Sequence, residues 1–234
     1  MKLLLLSNST NAGEEYLAWP INLLSAFRNE VSVSSGLFIP YAGVTVGWDA
    51  YSDRVSKIFR LLGIELKPIH QCPNAVHAVK DSESIVVGGG NTFRLVQQMH
   101  SLGLMKVIRE RVLQGTPYIG WSAGANIAGP TMCTTNDMPI IQPESFDTLG
   151  LIPYQINPHF LDANPEGHGG ETREQRILEY LELNPDKVVV GLREGSALWM
   201  DGPSLVLKGT KPMRLFKYHQ DPLEINPGLQ LADS

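Results

Sequence analysis

Short, nearly continuous apolar runs punctuate the first two hundred residues: Lys2–Leu6, Gly36–Ile39, Ser84–Val87, Pro117–Ile119, Gln155–Ile156 and Lys187–Gly191. Unbroken runs of this length suit strands of a parallel sheet covered on both faces. Amphipathic segments at Glu14–Arg28, Asp49–Leu62, Thr92–Met99 and Leu104–Leu113 separate several of them. The alternation predicts βαβ units, and so an α/β fold with a doubly wound, mostly parallel sheet flanked by helices. After about residue 197 the pattern changes to Ala197–Met200, Ser204–Leu207 and Met213–Tyr218, with Asp201-Gly202-Pro203 and Gly209-Thr210-Lys211 between them. Those short runs predict a small C-terminal antiparallel meander. No internal repeat, low-complexity tract or linker interrupts the chain, so residues 1–234 read as a single domain.

In open α/β sheets, ligands bind where loops leave the carboxyl ends of strands. Ser7-Asn8-Ser9, Pro40-Tyr41-Ala42-Gly43 and Gly88-Gly89-Gly90-Asn91-Thr92 occupy such ends, followed by Gly120-Trp121-Ser122-Ala123-Gly124. The last lies between the apolar run ending at Ile119 and Ala125-Asn126-Ile127-Ala128, which can begin a helix. A strand–turn–helix setting is what a nucleophile elbow needs, with glycines permitting the sharp turn and the serine hydroxyl exposed on it. The competing reading is a Gly/Ser turn after a buried strand.

A serine hydroxyl needs a base, and the base needs an orienting acceptor. Of six histidines, His159 in Gln155-Ile156-Asn157-Pro158-His159-Phe160 follows a predicted strand and would reach the same rim as Ser122. His168, in a Gly-rich loop, is the weaker rival; His70, His77, His100 and His219 read as surface or capping residues. Two carboxylates compete to orient the imidazole. Glu194 follows the apolar run Val188–Leu192, and Asp137 lies in the polar loop Thr134–Pro139. Position at a strand end favours Glu194, while Asp137 stays open as an orienter or a substrate contact. The backbone N–H of Gly89 or Gly90, paired with that of Ala123, would cradle an oxyanion. A phosphate cradle is less well supported, because neither Gly-Lys-Ser/Thr nor a completed Gly-x-Gly-x-x-Gly is present. Thr172 and Gln175 have capping-box spacing at a helix start, placing Arg173 in its first turn. An arginine there offers a fork to a substrate carboxylate, with residues 161–171 as a lid; the plain alternative is surface charge matched by Glu171 and Glu174.

The remaining composition narrows the function classes. A formal charge of −5 argues against a general nucleic-acid binder. Cys72 and Cys133 have neither metal-ligand nor disulfide-framework spacing, and the histidines lack paired ligand spacing, so no metal or other cofactor is expected. The opening run Met1–Leu6 stops at Ser7, short of a signal-peptide core, and no stretch is long enough to span a bilayer. The chain reads as cytoplasmic, with neither membrane nor nucleic acid as a partner.

Taken in order, the blocks at residues 3–10 (LLLLSNST), 88–93 (GGGNTF), 119–126 (IGWSAGAN), 134–139 (TTNDMP), 155–160 (QINPHF) and 170–176 (GETREQR) resemble those of peptidase E, the aspartyl dipeptidase family of serine peptidases. The resemblance spans about residues 1–195. It implies a class I glutamine amidotransferase-like fold and hydrolysis of dipeptides carrying an N-terminal aspartate. It implies Ser122 as nucleophile, His159 as general base, and either Asp137 or Glu194 as third member. It further implies Gly89 and Gly90 as the oxyanion region, Asn91 and Arg173 as contacts for the aspartyl end, no cofactor, a small dipeptide as partner, and a monomer or homodimer. Arg193, directly before Glu194, is where a departure from relatives is expected, its bulk and charge altering local electrostatics. Rival readings are another hydrolase on this scaffold, acting on a different acidic peptide or polymer, and a non-catalytic small-molecule sensor.

Overall fold

The computed structural model describes residues 1–164, 166–167 and 169–231. Strands β1 (Lys2–Leu6), β2 (Ser35–Ile39), β3 (Glu65–Pro68), β4 (Ile85–Val87) and β5 (Tyr118–Trp121) run parallel in the order β3-β2-β4-β5-β1. Strands β6 (Gln155–Phe160) and β7 (Val188–Arg193) also pair in parallel, but in a second sheet. The antiparallel strands expected after residue 197 form as two hairpins shared between the sheets. The hairpin of β8 (Ser196–Asp201) and β9 (Ser204–Gly209) extends the main sheet beyond β1. That of β10 (Met213–Lys217) and β11 (Leu223–Ile225) extends the second sheet beyond β7.

Burial explains why the main sheet reads so clearly in the sequence. Leu3 to Leu6 of β1 are all fully buried. Alternate side chains enter opposite layers: Leu3 and Leu5 join one core, Leu4 and Leu6 the other. Burying each leucine contributes roughly 1.5–3 kcal/mol, so this interior strand tolerates no polar face. The first layer is closed by α3 (Ala75–Asp81), α4 (Thr92–Ser101) and α5 (Leu104–Leu113). The second is closed by α1 (Ile21–Val31) and α2 (Trp48–Leu61), through Leu24, Phe27, Val55 and Phe59. A smaller cluster of Phe160, Ile177, Leu181, Val189 and Phe216 packs α7 (Arg173–Leu183) on the second sheet. Among the described residues no helix is long and apolar enough to cross a membrane.

Elements that the pattern obscured have physical reasons for it. β3 is a four-residue edge strand with one buried side chain, Leu66. Only Val79 is buried in the seven-residue α3. The amphipathic segment expected from Glu14 becomes helical only at Ile21, after Pro20, which has no N–H to donate.

Candidate active site

The carboxyl ends of β1, β4 and β5 lie side by side, and the loops leaving them meet at Ser122. This residue joins β5 to the short helix α6 (Ala123–Asn126) with φ 53° and ψ −112°. Positive φ in a side-chain-bearing residue costs on the order of 1–3 kcal/mol, so the surroundings must hold it there. Its N–H donates to the Leu6 carbonyl at 3.1 Å, and its own carbonyl accepts from Ala125 and Asn126 at 3.0 and 2.9 Å. The Tyr118 hydroxyl, buried beneath, donates to the Gly124 carbonyl at 2.6 Å. Neither flanking glycine is needed for its torsions; both are needed for space. A Cβ on Gly120 would lie 2.3 Å from the Gly124 carbonyl oxygen, and one on Gly124 would lie 2.3 Å from that of Val87. Since both obstacles are backbone, Gly124→Ala is expected to cost about 3 kcal/mol of unfolding free energy in a urea titration. A loss below about 0.5 kcal/mol would show that the turn relaxes freely.

Ser122 Oγ lies 2.8 Å from His159 Nε2, and His159 Nδ1 lies 2.7 Å from Glu194 Oε1. The three groups form one hydrogen-bonded row, drawn from both sheets. His159 reaches it because β6 is irregular: the β6–β7 register shifts between Pro158 and Phe160, and His159 takes φ 53°. Such a bulge re-aims a side chain that strict alternation would send elsewhere. The His159 N–H then donates to Ser7 Oγ at 2.9 Å, while the Ser7 hydroxyl donates to the Leu192 carbonyl at 2.7 Å. Ser7, buried at the end of β1, thus ties the main sheet to both β6 and β7. Asn8 accepts the Gly195 N–H at 3.0 Å and secures the turn after Glu194.

Asp137 stands outside this row. Its Oδ2 accepts from the Thr92 N–H at 2.7 Å, the Thr92 hydroxyl at 2.6 Å and the Thr135 hydroxyl at 3.1 Å. It therefore satisfies donors at the start of α4, where a carboxylate is favoured by the helix dipole. Asn91 caps the same helix, accepting from Arg94 N–H at 3.0 Å and donating to the Met138 carbonyl at 2.9 Å.

The glycine loop packs directly on the elbow: a Cβ on Gly89 would lie 2.9 Å from Ser122 Cβ. Tyr51 sets the orientation of the Gly89–Gly90 peptide. Its hydroxyl donates to the Gly89 carbonyl at 3.0 Å and accepts from Trp121 Nε1 at 3.1 Å and the Tyr16 hydroxyl at 3.2 Å. Burial holds that hydroxyl protonated, well above the usual tyrosine range. In a trans peptide C=O and N–H point in opposite directions, so fixing the Gly89 carbonyl also fixes the Gly90 N–H. Among the described residues, the N–H groups of Gly89, Gly90 and Ala123 donate to no protein acceptor.

Ser122, His159, Gly89, Gly90 and Asn91 line a cleft of about 600 Å³, whose wall also includes Tyr16 and Arg54. Arg173 is not on that wall. It lies at the first position of α7, after a formed capping box between Thr172 and Gln175. Partial burial lowers its pKa, Arg176 adds to the effect, and nearby Asp137 counters it. It forms no ion pair among the described residues. Arg193 does not line the cleft: it donates to Asp162 at 2.8 Å, to Glu224 at 2.6 Å and to the Pro212 carbonyl at 2.8 Å. Two carboxylates thus neutralise its charge.

Of the other histidines, His70 meets Asp49 at 2.8 Å, His100 the Asp147 carbonyl at 2.9 Å and His219 Glu182 at 3.2 Å, while the His77 N–H is capped by Asn74. His168 lies outside the described residues, as does part of the 161–171 segment considered as a lid. Sequence reasoning gave no individual role to Ser7, Tyr51 or Arg54. Ser7 carried a signal in its place at a strand end; the other two are indistinguishable from ordinary helix residues.

Residues 3–208 match the profile of Peptidase family S51. The chain is 49% identical over 226 residues to a peptidase E of Nostoc sp., covering 97% of this chain and 93% of the relative. It is 47% identical over 229 residues to a peptidase E of Salmonella arizonae, covering 97% and 99%. In fold it is similar to the crystal structure of a peptidase from an acI-B1 actinobacterium, with TM-score 0.74 at 18% identity, covering 99% of this chain and 96% of that one. With the match running from β1 into β9, the chain belongs to peptidase family S51 and is a serine peptidase.

Proposed function

We propose that this serine peptidase is an exopeptidase that releases aspartate from the N-terminus of dipeptides, through an acyl-enzyme on Ser122. The carrying observation is the row from Ser122 Oγ through the His159 imidazole to Glu194. Glu194 accepts the Nδ1 proton, which leaves Nε2 unprotonated and facing the serine hydroxyl. His159 takes the Ser122 proton as Oγ attacks the scissile carbonyl. The Gly90 and Ala123 N–H groups, free of protein acceptors among the described residues, receive the oxyanion. His159 then protonates the leaving amine, and water attacks the ester to release aspartate. No step requires a metal ion.

Selectivity for aspartate needs a cation, because a carboxylate taken from water without a partner costs several kcal/mol. Arg173 suits that role, being partly desolvated and unpaired among the described residues, with the charge of Asp137 acting on it. Asp137 in turn accepts from Thr92, the residue after Asn91, and Asn91 lines the cleft. A substrate panel tests the assignment. Asp-Leu is expected to exceed Asn-Leu and N-acetyl-Asp-Leu in kcat/KM by about 10⁴-fold, the scale set by leaving built polar partners unmatched, and Glu-Leu, one methylene longer, by about 10²-fold. Comparable rates on all four would favour a broader acidic-peptide hydrolase.

A further inference from the structure

We propose that Arg54 binds the free carboxylate of the departing residue, making the cleft selective for dipeptides; this rests on the reading above. Arg54 shares the cleft wall with Ser122 and His159. Its guanidinium lies 5.5 Å above the Tyr16 ring, a cation–π placement that holds it against the wall. Tyr16 is itself anchored to Tyr51 by a hydroxyl contact of 3.2 Å. Arg54 forms no ion pair or hydrogen bond among the described residues, so its planar fork is available to an anion.

Covalent geometry narrows the choice of anion. In a dipeptide the terminal carboxyl carbon is two bonds from the departing nitrogen, roughly 2.5 Å away. A cation that recognises it must therefore stand on the wall of the same cleft as the nucleophile. Arg54 meets this condition beside Tyr16, whereas Arg173 does not line the cleft. The cleft mouth also exposes apolar surface, with Val44, Val46 and Ile140 at 54%, 39% and 55% exposure. That surface suits the variable side chain of a departing residue whose carboxylate rests on Arg54.

The test compares Asp-Leu with Asp-leucinamide, which differs only in lacking the terminal charge, on wild type, Arg54→Gln, Arg54→Lys and Ser122→Ala. Wild type is expected to prefer Asp-Leu about tenfold in kcat/KM, the scale of one charge-assisted hydrogen-bonded contact. Arg54→Gln should erase the preference by raising KM for Asp-Leu, leave the amide unchanged, and be partly rescued in Arg54→Lys. Equal losses on both substrates would overturn the proposal, since Arg54 would then serve the shared aspartyl half or the fold. Unchanged kinetics on both would overturn it as well. Wild type that turned over neither substrate in a Ser122-dependent way would instead overturn the peptidase reading beneath, and the proposal with it.

Discussion

Replacing Ser122 by alanine is expected to lower kcat on Asp-Leu by roughly 10⁶-fold, the loss typical of removing the nucleophile from a hydrogen-bonded catalytic row. His159→Ala should cost nearly as much alone and almost nothing further when added to Ser122→Ala, because the two groups act as one unit. The residual rate would come from oxyanion donors and binding, which both substitutions leave in place. Removing Oγ should also relieve rather than add crowding at the strained turn, so Ser122→Ala is expected to fold. Single-turnover kinetics and labelling by a serine-directed phosphonate check the point. Labelling that persists in Ser122→Ala, or additive losses in the double variant, would remove the serine mechanism.

The second large effect separates the two acids that compete for the third position. Glu194→Gln should reduce kcat by about 10³–10⁴-fold with little change in stability, because an amide can donate to Nδ1 and impose the wrong imidazole tautomer. Asp137→Ala should behave in the opposite way. Its Oδ2 accepts three hydrogen bonds around the start of α4, one of them from the Thr92 N–H. Leaving those donors unmatched should cost about 1–3 kcal/mol of unfolding free energy, while kcat changes far less than in Glu194→Gln. Paired urea titrations and steady-state kinetics decide the matter. Loss of turnover in Asp137→Ala without loss of stability would reverse the assignment.

The two acids show why the sequence alone left that choice open. Both lie in polar loops near the rim, and a strand-end position merely favoured Glu194. The decision comes from hydrogen bonding across the fold: Asp137 faces the α4 terminus, while Glu194 faces an imidazole carried by a neighbouring strand of the second sheet. The division into two sheets was equally hidden. The apolar runs of β6 and β7 look like those of the main sheet, and strand pairing is a long-range property that no run encodes by itself. The same holds for the β6 bulge, which turns His159 toward Ser122 and gives its N–H to Ser7.

By itself the sequence determined the alternation of buried strands and amphipathic helices and the Gly-x-Ser-x-Gly turn, and it favoured His159 as the histidine beside that turn. These depend on local properties: continuous burial of β1 demands unbroken leucines, and the elbow demands residues without Cβ at Gly120 and Gly124. Only the tertiary structure decided the acid beside the imidazole, the peptide aimed by Tyr51 and the arginine on the cleft wall. Each of these is a contact between segments distant in the chain, selected by strand register and by which buried polar groups must find partners.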